Sequence, residues 1–176
     1  MKLKLWFPLI LFLFMAVALW WGLYKDPHKI SSPLINKPIP GFHAENLTES
    51  EAQLTEANFL NQVTVLNVFA TWCVACRDEN KLLMKIASEN SIEIYGLDYR
   101  DTREAALSWL GNYGNPYKQI IYDPQGKLAI DFGVYGTPET FIIDKKGIIR
   151  YKHLGVLSQE AWLNTLLPLV RRLEQE

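Results

Sequence analysis

The chain of 176 residues has two cysteines, Cys73 and Cys76, with Val74 and Ala75 between them. They lie in the stretch Ala70–Arg77, which directly follows Val63-Thr64-Val65-Leu66-Asn67-Val68-Phe69, nearly all apolar, as a central strand covered on both faces must be. Val74–Glu89 then carries Leu82, Leu83, Ile86 and Ala87 at helical spacing. A strand that runs through a paired thiol into a helix leaves little freedom to the surrounding chain. It puts Cys73 where a helix begins, and unpaired N–H groups there favour the thiolate, the form that attacks a disulfide. Cys73 is therefore expected to be the nucleophile and the more exposed thiol. Cys76, one turn in, resolves the mixed disulfide, and Trp72 is expected to shield one side of the sulfur.

Strand, Cys-x-x-Cys and helix in that order are the arrangement of a thioredoxin-type redox site. Other uses of the pair fit less well. Arg77 follows Cys76 where haem attachment would need a histidine, and His28, His43 and His153 are too scattered for a zinc site. His43 and His153 read as strand or surface residues, and no metal or cofactor is expected. Two cysteines cannot staple a small fold. With 18 Lys+Arg against 19 Asp+Glu, there is no charge excess to attract nucleic acid.

Leu5 to Tyr24 is an uncharged apolar run preceded by Lys2 and Lys4. Twenty residues of helix rise about 30 Å, the thickness of a bilayer core. Trp20, Trp21 and Tyr24 cluster at its far end as an aromatic belt would, and the basic N-terminal flank predicts N-in, C-out. Residues 1–24 therefore read as a membrane anchor. Cleavage after Ala18, as in a signal peptide, is the competing reading, and both export the rest of the chain. Residues 25–38, with three prolines and no periodicity, read as a linker, and 39–176 as the folded domain.

Within that domain, Pro38–Ala44 should form an edge strand and Ser50–Leu60 a helical turn. Ile92–Tyr99 and Tyr117–Tyr122 read as strands. Glu139–Asp144 and Ile148–His153 read as a hairpin across Lys145-Lys146-Gly147. Asp101 is expected to cap a helix through Trp109, with Glu104 completing a capping box. Leu128–Phe132 is ambiguous. Ser158 should cap a last helix that Pro168 kinks. The order predicts an α/β fold with a central mixed β-sheet flanked by helices.

The stretch Gly133-Val134-Tyr135-Gly136-Thr137-Pro138-Glu139-Thr140-Phe141 is the second informative one. A proline at a strand start, after Thr137, can adopt either peptide isomer.

These stretches together resemble the membrane-anchored, thioredoxin-like proteins of cytochrome c maturation, called DsbE or CcmG. The resemblance runs over nearly the whole chain. It rests on Leu66–Cys73 with Arg77, on Trp109–Tyr117, on Gly133–Phe141 and on Asp144–His153. It implies a thioredoxin-like fold with an N-terminal transmembrane helix, and a cis Thr137–Pro138 bond facing the dithiol. It implies a dithiol reductase at the cell inner membrane with its domain on the periplasmic side. The implied target is the Cys-x-x-Cys-His disulfide of apocytochrome c, met directly or through a CcmH-type dithiol partner. Electrons would come from a DsbD/CcdA-type membrane donor. A broader TlpA-like thiol reductase, or a tethered apocytochrome-binding module, is the alternative. A monomer is expected.

The resemblance implies that acidic side chains at Glu79 and Glu139 belong to the surroundings of the active site. Asn67 stands where thioredoxin has a buried aspartate, and an amide cannot take the Cys76 proton. Tyr135 is expected to hydrogen-bond Glu139 or to line the substrate groove. Val74-Ala75 departs from the Pro-Thr usual in the family, and this pair tunes the reduction potential.

Overall fold

Helix α1 (Leu3–Leu23) precedes the strands β1 (His43–Glu45) and β2 (Gln53–Thr55), which pair as a small antiparallel ribbon. Next come β3 (Thr64–Phe69), α2 (Val74–Glu89), β4 (Glu93–Tyr99), α3 (Arg103–Tyr113), β5 (Gln119–Asp123) and α4 (Lys127–Asp131). The hairpin β6 (Glu139–Ile143) and β7 (Ile149–Leu154) follows, and the chain closes with α5 (Gln159–Ala161), a π-helical turn Trp162–Leu166 and α6 (Leu167–Glu174). This computed structural model describes residues 3–23, 33–89 and 92–176.

The chain divides into two units, residues 1–31 and 32–176. In the first, α1 is helical over 21 residues, and its large apolar side chains, including Phe7, Phe14 and Trp21, are exposed. Among the described residues no helix is long and apolar enough to cross a membrane. The transmembrane assignment is thus not carried by the structure.

In the second unit the sheet has the order β5-β4-β3-β6-β7. β3, β4 and β5 run parallel, while β6 and β7 are antiparallel additions, giving the mixed sheet that the element order predicts. The strand before the dithiol is the middle one, and all six of its residues are buried. Its side chains alternate between two cores. Val65 and Phe69 join Cys73, Cys76, Leu83 and Trp162 on one face, and Leu66 and Val68 join Phe132, Phe141 and Ile39 on the other. The carboxyl ends of β3, β4 and β5 and the start of β6 therefore meet at one edge, where the dithiol sits.

Several local expectations shift. Much of the 25–38 linker, residues 25–32, lies outside the described residues. Its end is part of the folded unit, since Asn36 N–H donates to the Ile149 carbonyl and Ile39 N–H to that of Gly147. The 50–60 region is strand β2 followed by a 3-10 turn, Glu56–Phe59, and the ambiguous 128–132 segment is helix α4. The cap of α3 is Thr102, whose hydroxyl accepts the Ala105 N–H, while Asp101 is engaged elsewhere. Ser158 caps the last helix as expected. Pro168 is accommodated by the π turn before it, where Leu167 N–H reaches back to the Trp162 carbonyl. The wider turn gives room to a ring that would otherwise press on the preceding carbonyls.

Candidate active site

Cys73 and Cys76 form a disulfide. Cys73 directly precedes the first residue of α2, and the Cys76 N–H donates to Cys73 Sγ at 3.1 Å. A free helix-start donor thus points at the sulfur expected to attack, which stabilises its anionic form. The expected contrast in exposure is small: Cys73 is 6% exposed and Cys76 3%. The exposed neighbours are Trp72 and Val74. Trp72 lies to the side, its Nε1–H donating to the Arg100 carbonyl at 3.3 Å and its ring against Tyr99.

Beneath the dithiol runs a buried polar chain. Asn67 is on the β3 face that carries Val65 and Phe69, so its amide points to α2. Its Nδ2 donates to Glu79 Oε1 at 2.7 Å and to Thr140 Oγ1 at 3.1 Å, and its Oδ1 accepts from the Tyr117 hydroxyl at 2.8 Å. Glu79, three residues beyond Cys76 and on the same helix face, accepts the Leu157 N–H with its other oxygen at 2.9 Å. Burial pushes the Glu79 carboxyl up to about 7, against the lowering effect of the Leu157 and Asn67 hydrogen bonds. Burial, with the charges of Glu79 and Asp98, holds the Tyr117 hydroxyl well above its usual range.

A second cluster holds the turn into the dithiol. Asp101 Oδ2 accepts the Thr71 N–H at 2.5 Å and Oδ1 accepts the Thr71 hydroxyl at 2.7 Å. Asp98, opposite Phe69 in the register of β3 and β4, is fully buried, and no donor reaches either carboxyl oxygen. Burial, then the neighbouring Asp101 and Asp123, push it up to about 8, and Arg103 opposes this. Burial and these carboxylates therefore favour the neutral form of Asp98.

The stretch from Gly133 leads into β6, and its Thr137–Pro138 bond is cis, as the resemblance implies. Glu139 does not join Glu79. It pairs with Val68 in the register, so its side chain falls on the other face of the sheet. There Glu139 Oε1 accepts the Tyr135 N–H at 3.0 Å, and Oε2 lies 3.0 Å from the buried Lys152 Nζ. The Tyr135 contact to Glu139 is thus made by the backbone, and its ring stays free of that role.

Residues 35–152 match the AhpC/TSA family. A thiol:disulfide interchange protein DsbE of Allochromatium vinosum is 45% identical over 165 residues, covering 94% of this chain and 91% of its own length. The DsbE of Escherichia coli K12 is 43% identical over 176 residues, covering 96% and 94%. The chain belongs to the DsbE family. As a DsbE-family member it is a thiol–disulfide oxidoreductase. Among solved structures, a secreted thiol-disulfide isomerase from Corynebacterium glutamicum is similar with a TM-score of 0.66 and 29% identity, over 76% of this chain and 85% of that one. A DsbF homologue from Corynebacterium diphtheriae shares the fold, with a TM-score of 0.67, 21% identity and coverage of 82% and 97%.

Four residues at the DsbE site carry no sequence signal strong enough to find them. Tyr117 and Asp98 look like ordinary strand residues, Asp101 like a helix cap, and Lys152 like one cation of a basic strand. Only the tertiary structure brings Tyr117, Asp98 and Asp101 to the dithiol end of the sheet and Lys152 to the 133–139 segment.

Proposed function

We propose that the chain is an exported dithiol reductant of cytochrome c maturation, held at the inner membrane by α1 with its domain on the periplasmic side. The observation that carries the redox part is the Cys76 N–H aimed at Cys73 Sγ at the helix start. In the reduced protein the Cys73 thiolate attacks one sulfur of a partner disulfide and expels the other as a thiolate, forming a mixed disulfide. Cys76 then loses its proton and attacks Cys73 Sγ, which releases the partner as a dithiol and leaves the Cys73–Cys76 disulfide. Glu79, one turn beyond Cys76 and poised near 7, is the group to take that proton. Asn67 holds Glu79 in place. Thr137 and Pro138 close the 133–139 wall along which the partner segment lies, Tyr135 stands within it, and Trp72 flanks it.

The partner class is the Cys-x-x-Cys-His disulfide of apocytochrome c or a CcmH-type dithiol protein, with a DsbD/CcdA-type membrane protein returning electrons. The resemblance over Gly133–Phe141 and the DsbE relatives support this. The uncharged apolar run Leu5 to Tyr24, preceded by Lys2 and Lys4, supports the anchor.

Trapping with Cys76→Ser in cells tests the reading, because it stalls the mixed disulfide on Cys73. Apocytochrome c or its dithiol partner in the trapped adduct is the expected result. A broad set of unrelated exported proteins would favour a general TlpA-like reductase. An equilibrium titration should place the dithiol near the thioredoxin end of the scale, about −270 mV, and a value near the DsbA end, about −120 mV, would sink the reductase reading.

A further inference from the structure

Lys152 is a strand residue on the sheet face that also carries Phe141 and packs against Phe132, and its side chain is 2% exposed. A buried ammonium is unfavourable there unless its donors are used. They converge on one short segment. Nζ donates to the Gly133 carbonyl at 2.7 Å, lies 3.0 Å from Glu139 Oε2, and sits 4.2 Å from the centroid of the Tyr135 ring. Phe141 lies further along, 5.3 Å away. The two ends of segment 133–139 and its one aromatic side chain are therefore fastened to a single atom. Glu139 adds a second tie, accepting the Tyr135 N–H.

Buried ion pairs contribute little net stability against an apolar replacement, and their best-attested use is to fix one arrangement among several. Here the arrangement fixed is that of the segment leading to Thr137 and Pro138. Tyr135 is 63% exposed although the ammonium covers its ring from one side. Its other face is left to solvent, which suits an aromatic anchor for a bound chain.

We propose that Lys152 is a positioning residue for partner recognition, presetting the 133–139 wall so that Tyr135 offers its open ring face to the extended, disulfide-bearing segment of the partner. This rests on the reading that the wall receives the partner's disulfide. It implies that Lys152 and Tyr135 govern binding of peptides but not the chemistry of the dithiol.

The experiment uses the full-length reduced chain with three oxidants. They are a disulfide-closed peptide containing Cys-x-x-Cys-His, the same peptide with that histidine replaced by alanine, and oxidised glutathione. Lys152→Met should raise KM for the peptides about tenfold, leave kcat and the glutathione rate within about twofold, and be rescued by Lys152→Arg. Tyr135→Ala should raise KM similarly, and the double variant should be no worse than either single one. Equal losses toward glutathione and peptides in Lys152→Met would mean a structural role only and overturn the proposal. Should Lys152→Met not fold, Tyr135→Ala decides: an unchanged peptide KM overturns it. If the wild type treats the two peptides alike, the cytochrome-type target falls. The variant-to-wild-type ratios on either peptide still judge Lys152.

Discussion

The amide of Asn67 donates to Glu79 Oε1 at 2.7 Å, and the other oxygen of that carboxylate accepts the Leu157 N–H at 2.9 Å. The buried acid of this site thus sits on the helix that carries the dithiol, while the strand supplies an amide that orients it. Three hydrogen bonds tie Asn67 to Glu79, Thr140 and Tyr117, so the acid cannot turn away from the Cys76 side without breaking a network.

Replacing Glu79 by Gln removes the proposed proton acceptor but keeps the shape. In the wild type the rate of mixed-disulfide resolution should rise with pH through about 7, as the carboxyl ionises. Stopped-flow measurement on Glu79→Gln should show that inflection gone and the rate at pH 8 lower by about tenfold or more. A profile that keeps its inflection would assign it to another group.

Asn67→Asp would place a carboxylate against Glu79 Oε1. Two buried carboxyls at hydrogen-bond distance share one proton, so the pair is tolerable only while one stays protonated. The variant should resemble the wild type in thermal melts near pH 5 and lose several degrees of Tm by pH 8.

Asp98 gives a pH dependence of known sign. Its carboxyl stands at about 8 in the fold against 3.8 as the ordinary value, and Glu79 at about 7 against 4.5. Each folded-state value is raised, so the contribution to stability is full below the unfolded values. It is lost as pH rises, from about pH 4 until each folded value is passed. Asp98→Asn removes the larger part of this slope. Its Tm should exceed that of the wild type by several degrees at pH 8, with the gap closing toward pH 4. A gap independent of pH would show that the carboxyl is not neutral in the fold.

Gly96 lies where two rings of the site come close. A Cβ there would stand 3.0 Å from Phe69 Cε1 and 3.1 Å from Tyr117 Cγ. Gly96→Ala must push both aromatic rings, which stack on each other, and with them the Tyr117 hydroxyl on Asn67. Overpacking of this kind costs about 1–3 kcal/mol, readable by denaturant unfolding.

The dithiol, the strand before it and the helix after it were legible in the sequence because each rests on local pattern. Residues Val74–Glu89 form the helix over the span their periodicity predicts. The cis bond at Pro138 was legible through resemblance alone. The Asp101 cap was misassigned because a capping residue and its competitor look the same locally. Thr102, one residue on, serves as well, and this frees Asp101 to grip Thr71 from thirty residues away.

Glu79 and Glu139 mark the boundary most clearly. Both are buried acids that the resemblance implied together, and in sequence each is simply a carboxylate beside a motif residue. The alternation of side chains along β3 and β6 sends Glu139 to the Lys152 face and leaves Glu79 with Asn67 and Cys76. Composition and spacing by themselves determined that this chain carries an exported-type redox dithiol on a strand–helix junction, since those signals depend on neighbours in the chain. Which acid lies with Asn67 on the dithiol side of the sheet, which cation pairs with Glu139 and which carboxyl burial raises were decided only by tertiary structure. Desolvation and hydrogen bonding set those properties, and both depend on residues that the sheet brings together from far apart.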